Sequence, residues 1–219
     1  MEINKLFVQK GPTSGVYSLA YALKKLGMIN CITHEELKTW AEDVSFVDRD
    51  GHHAIKNGCN PVLLTKHILD LMSKKYSDQL KSVQLYLNID QYLEACKAGN
   101  TQLSDDEKER AGILLKGLQA EVNMFVSKNY VKANYSLETL NDKIVCIGLY
   151  MSFDHHQVDS INLFLKQLLK NPAQFQYMMC FKEGKEVNFY DPVWGYDNLE
   201  THAGKLFQYT GIAIVLERY

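Results

Sequence analysis

Residues 9–27 read Gln-Lys-Gly-Pro-Thr-Ser-Gly-Val-Tyr-Ser-Leu-Ala-Tyr-Ala-Leu-Lys-Lys-Leu-Gly. Gly11-Pro12 is a turn signal, and Gly15 relieves crowding beside Ser14. Leu19, Ala22, Leu23 and Leu26 recur at helical spacing, and Gly27 suits a C-cap, so a helix is expected over about residues 14–26. Ser14 then stands at the helix start, where free N–H groups and the helix dipole stabilise a thiolate or an oxyanion. Gln9, five residues upstream, carries a side-chain amide donor. A donor amide, a nucleophile-type side chain and a backbone N–H together suit acyl chemistry. Ser14 is also an ordinary helix N-cap residue, and that plainer reading fits the same stretch.

Further along, the first half continues to read as helical. Thr33-His34-Glu35-Glu36 is a helix-start pattern leading into Leu37 and Trp40. Asn60-Pro61 is an N-cap and first-turn pair ahead of Leu63, Leu64, Ile68, Leu69 and Met72. Ser104-Asp105-Asp106-Glu107 is a capping box for a helix running towards about residue 127. From Lys143 to Phe153 the pattern changes to a near-continuous apolar run, as expected of a buried strand. Asp154 to Lys170 reads as an inserted helix. Gln176–Lys182 and Glu186–Tyr190 flank Glu183-Gly184-Lys185 as a hairpin, and Ile212–Glu217 is a last strand. Helices first and antiparallel strands afterwards give an α+β fold.

The second chemistry-bearing stretch is Glu-Val-Asn-Phe-Tyr-Asp-Pro-Val-Trp-Gly, residues 186–195. It places Asp191 just past a strand end, where a carboxylate can accept an imidazole N–H and fix its tautomer. An Asp-Pro turn closing a strand is the plainer account.

Taken in order, Gln9, Gly11-Pro12-Thr13-Ser14-Gly15 and Asp191-Pro192 resemble the active-site stretches of the papain-like cysteine peptidase superfamily, especially its bacteriocin-processing and effector-type relatives. The resemblance implies a papain-like fold as one domain over 1–219, with a mainly helical half over 1–142. A mainly β half follows over 143–219, its inserted helix at about 155–170. It also implies a Cys-His-Asp site with Ser14 at the nucleophile position, Gln9 at the oxyanion and Asp191 orienting the base. Superposing the strand 176–181 on the family's base-bearing strand puts Tyr177 where the family has His, with Gln176 beside it. A phenol of pKa about 10 or an amide is no general base near neutral pH. His155 and His156 are the nearest alternative bases, and a solvent-exposed pair at a helix start is the plainer reading of both. His52-His53 reads as a surface loop, and His34, His67 and His202 as isolated helix or loop residues. Cys59, just before the Asn60-Pro61 helix start, is a rival nucleophile position, although a small Cys packed under a helix start is commoner.

Three functional readings are open. Ser14 replaces a native Cys by design in a peptidase, deamidase or acyltransferase; or Ser14 is natural and the domain is a pseudoenzyme that binds a peptide or protein in its vestigial cleft; or the chain is an unrelated α+β interaction domain. The expected partner is a peptide or protein.

Composition narrows the field further. At 219 residues the chain can bury a full core, and a net charge of −2 gives no electrostatic pull towards nucleic acid or anionic membrane. No apolar run reaches transmembrane length. The start lacks the charged and apolar regions of a signal peptide. Five widely spaced cysteines with no Cys-x-x-Cys pair argue against a disulfide framework or a structural zinc, and a reducing, cytoplasmic setting is expected. No phosphate-cradling, dinucleotide or His-Glu-x-x-His motif occurs, so neither cofactor nor metal is expected. The 13 tyrosines suit a recognition surface or half-buried positions equally.

Overall fold

The computed structural model describes residues 9, 11–46, 50, 52–88, 91, 130–152, 175–192 and 207–219. Its helices are α1 (Ser14–Lys25), α2 (His34–Val44) and α3 (Pro61–Lys75). Its strands are β1 (Leu80–Leu87), β2 (Tyr130–Val131), β3 (Ile144–Ser152), β4 (Phe175–Glu183), β5 (Glu186–Tyr190) and β6 (Phe207–Arg218). This is the α+β architecture expected from the sequence.

Each helix begins and ends where its local chemistry dictates. α1 stops in a Schellman motif: Gly27, at φ 72°, donates its N–H to Lys24, and Met28 donates to Leu23. α2 opens on a complete capping box between Thr33 and Glu36. α3 opens on Asn60, whose side chain accepts the N–H groups of Val62 and Leu63, with Pro61 in the first turn.

The six strands form one sheet in the order β2-β1-β6-β3-β4-β5, antiparallel except for the β1–β2 pair. β1 and β2 lie in the stretch read from sequence as the helical half; both belong to the sheet. In β1 the buried residues are Leu80, Val83, Leu85 and Leu87, and a register shift between Leu80 and Ser82 breaks their alternation. That irregularity hides the period of two. The helix expected at about 104–127 and the inserted helix at about 155–170 fall outside the described residues.

α1 is the hub of one core. Every residue from Ser14 to Leu23 is buried, and the helix packs on β4 while α3 packs on β1. Val16, Leu19, Leu23, Leu64, Ile68, Leu85 and Ile214 anchor this core. The opposite sheet face carries a second cluster with Leu140, Cys146, Tyr150, Met178, Cys180, Ala213 and Val215. Buried apolar surface of this kind contributes roughly 25 cal/mol per Å², so the sheet is stabilised from both faces. Among the described residues no helix is long and apolar enough to cross a membrane.

Candidate functional site

α1 and β4 meet at Tyr177. The Oγ of Ser14 accepts the backbone N–H of Tyr177 at 3.0 Å, and the Oγ of Ser18 donates to the backbone carbonyl of the same residue at 3.1 Å. Ser14 and Ser18 are one helical turn apart, so both hydroxyls lie on the face turned to the strand. The last β4–β5 pair is Met179 with Tyr190. Tyr177 lies two residues beyond it, and the helix hydroxyls take the ladder positions that β5 leaves. Ser14 is only 7% exposed. Its hydroxyl therefore acts as a hydrogen-bond acceptor inside the core boundary.

Asp191 follows β5 directly and is 1% exposed. Its Oδ1 accepts a hydrogen bond from Nε2 of Gln176 on β4, a contact between two buried side chains. Tyr190, the preceding residue, stacks on Tyr21 of α1 with ring centroids 4.0 Å apart and planes within 7°. One helix thus fixes both strand ends: Ser14 and Ser18 hold β4, and Tyr21 holds β5.

The β4 side chain facing Asp191 is Gln176, not Tyr177, the residue that the resemblance sets at the base position. Strand residues alternate between faces. Tyr177 turns to the helix side, where its phenol donates to the Cys59 carbonyl at 3.1 Å. Gln176 points to the face where Asp191 stands. An amide can donate to a carboxylate but has no basic nitrogen to accept a proton.

Gln9 is tied to the same strand end through its backbone, whose N–H donates to the Pro192 carbonyl at 2.8 Å. Its side-chain Nε2 donates to the Gly11 carbonyl at 3.0 Å, within its own turn. The amide that the oxyanion role requires is thus engaged two residues away. Gln9, Ser14 and Asp191 are linked by a short chain of contacts: Gln9 to Pro192, Asp191 to Gln176, and Tyr177 to Ser14.

His155 and His156 lie outside the described residues, as does His202. The other imidazoles sit in the helical layer and its loops. His34 Nδ1 meets the Tyr17 hydroxyl at 2.6 Å, and His53 Nδ1 lies 2.7 Å from the Ser45 carbonyl. His67 packs beside Trp40, its Nδ1 3.9 Å from Asp43.

Cys59 is packed beneath the start of α1. Burial pushes its thiol up to about 11, against the opposing pull of the Val16 and Gly15 N–H groups. A Cβ built on Gly15 would come within 2.8 Å of the Cys59 Cβ and 2.9 Å of its Sγ. Gly15 is small because Cys59 occupies that space. Both features mark Cys59 as a packing residue rather than a nucleophile.

Among the described residues no group of three or more His, Cys, Asp or Glu side chains is arranged to hold a metal ion. Sequence reasoning missed Gln176 as the partner of Asp191, and it missed Ser18 and Tyr21 altogether. The i, i+4 spacing of Ser14 and Ser18 on a buried face was the available signal for one of them.

Comparison of the chain with family models, with curated proteins and with solved structures gives no match.

Proposed function

We propose that this chain is a papain-like pseudoenzyme: a domain of the cysteine-peptidase type whose site binds a peptide or protein segment without cleaving it. The observation that carries this reading is the pairing of Asp191 with the Gln176 amide. It is supported by the N-terminal position of residue 14 on a helix packed against β4, by the carboxylate that follows β5, and by the tie from Gln9 to Pro192. Hydrolysis needs a nucleophile that loses its proton to a base. In this reading the nucleophile position holds a hydroxyl engaged with a backbone N–H, and the side chain paired with the orienting carboxylate is an amide. The Gln9 amide is bonded within its own turn. Each of the three reacting roles has thus become a structural contact.

Reconstruction tests the reading. Ser14→Cys and the double variant Ser14→Cys/Gln176→His, both in a Cys59→Ala background, are labelled with an alkylating reagent across pH. The expected result for the single variant is a thiol no more acidic than an ordinary one of pKa about 8.5. In the double variant, labelling at mildly acidic pH should rise about tenfold or more, as an imidazolium beside Asp191 stabilises the thiolate. A depressed thiol pKa in the single variant would instead mean that another base already serves residue 14, and the chain would be read as an enzyme. An ordinary thiol in both would remove the papain-like assignment of these positions.

A further inference from the structure

Cys146 and Cys180 are direct cross-strand partners in the β3–β4 ladder. Both thiols are free, and the residues are 1% and 0% exposed on the sheet face opposite α1. The Tyr150 hydroxyl lies 3.3 Å from the Cys180 Sγ. Its ring reaches there by lying across Gly148, where an added Cβ would meet the ring at 2.6 Å. Cys146, Gly148 and Tyr150 therefore line one stripe, opposite Cys180, Met178 and Gln176 respectively. The hydrogen bonds that join Ser14 to Tyr177 and Asp191 to Gln176 involve neither cysteine.

We propose that Cys146 and Cys180 form a reversible dithiol–disulfide site. The N–H and C=O of Tyr177 point to the serines of α1, so alternate residues of β4, including Cys180, bond to β3. The cysteine pair is then a hydrogen-bonded pair, with Cα atoms about 5.5 Å apart. That falls inside the roughly 4.4–6.8 Å span of disulfides, but the Cβ atoms must draw in to about 4 Å. A bridge formed by such a movement is strained, and strained bridges are the readily reduced ones. The geometry thus favours a pair that opens and closes over a permanent staple.

A peroxide supplies the oxidising equivalents. One thiol gives up its proton and its sulfur attacks the peroxide; the O–O bond breaks, a sulfenic acid forms, and the departing hydroxide takes that proton as the first water. The second thiol sulfur then attacks the sulfenic sulfur. The S–O bond breaks, the S–S bond forms, and the departing hydroxide takes the thiol proton as a second water. In total, two thiols and one hydrogen peroxide give one disulfide and two waters. The Cys180 sulfur lies against both the Tyr150 hydroxyl and the Cys146 thiol, and the hydroxyl contact must give way as the S–S bond forms. Contact with the Cys180 thiol, with burial, holds the Cys146 thiol well above its usual range, so reaction waits on local opening of the sheet.

Hydrogen peroxide oxidation of the full chain, with and without sub-denaturing urea, tests this. Samples are quenched by alkylation and mapped by mass spectrometry, with exposed Cys31 as internal control. The expected result is a linked 146–180 species, lighter by two hydrogens, formed several-fold faster in urea and reopened by dithiothreitol. Tyr150→Phe should speed its formation in native buffer several-fold, since the hydroxyl no longer engages Cys180. The proposal is overturned if Cys146 and Cys180 both remain alkylatable, in buffer and in urea, once Cys31 has reacted. It is equally overturned if either passes to the sulfinic acid unlinked, or pairs with a different cysteine.

Discussion

The hydroxyl of Ser14 accepts the backbone N–H of Tyr177, so the residue at the expected nucleophile position acts as a strand partner. With Ser18 on the Tyr177 carbonyl, α1 completes the ladder where β5 has ended. Both groups are buried, and a buried backbone group that loses its partner costs about 1–3 kcal/mol. Ser14→Ala and Ser18→Ala are each expected to destabilise the fold within that range. Removing both should cost less than the sum if the strand end then frays into water. Urea denaturation of the three variants measures this, and single effects under about 0.5 kcal/mol would show that the helix does not hold Tyr177.

The contact between Gly15 and Cys59 makes a second prediction. Gly15→Ala places a methyl within 3.1 Å of the Leu64 Cδ2 and closer still to Cys59. Overpacking of a tight core costs about 1–3 kcal/mol. Cys59→Gly, which removes both offending atoms, should recover a good part of that loss in the double variant. A strictly additive double-mutant cycle would mean that the clash is relieved elsewhere.

Cys59 itself should resist modification. With its thiol pushed up to about 11 by burial, less than about one part in a thousand is thiolate at neutral pH. Competitive alkylation of the native protein should label exposed Cys31 far ahead of Cys59. Equal rates would be inconsistent with the packing seen beneath α1.

His67 gives a pH dependence with a definite sign. Burial lowers its pKa, and this outweighs the attraction of Asp43 and Asp70. The unfolded chain, near pKa 6.5, therefore binds a proton more readily than the fold does. The stability contributed by neutral His67 is complete above about pH 6.5 and is lost as pH falls from there towards the folded pKa. His67→Gln should flatten this part of the stability–pH curve. Trp40, whose ring centroid is 5.2 Å from that of His67, offers an optical check through its fluorescence. An unchanged acid limb in His67→Gln would assign the effect to other groups.

The legibility of the fold in the sequence depended on punctuation in the chain. Thr33 and Glu36, Asn60-Pro61, Gly27 and Gly184 fixed element ends, because caps and positive φ angles leave few alternatives. β4 was legible as a strand but not in phase. Met178, Met179, Cys180 and Phe181 are buried on both faces, so no polar alternation shows which face Gln176 takes. A slip of one residue exchanges Tyr177 for Gln176, and that slip separates a phenol from an amide at Asp191. The alternation of β1 was concealed by its irregular register at Leu80–Ser82. The serine clamp was legible only as an i, i+4 pair: its partner, Tyr177, lies more than 150 positions away, and only the packed structure brings them together.

The place of β6 in the sheet has a consequence for synthesis. It pairs with β1 on one side and β3 on the other, and its Arg218 guanidinium holds the Leu26 carbonyl at the end of α1. β3, β4 and β5 can zip locally as they leave the ribosome, but β1 has to wait with a bare edge until residues 207–218 emerge. During that interval the nascent chain exposes a strand template open to misassociation. Stalled or prematurely ended translation products that stop short of β6 would then be substrates for chaperones and proteases rather than partly working molecules.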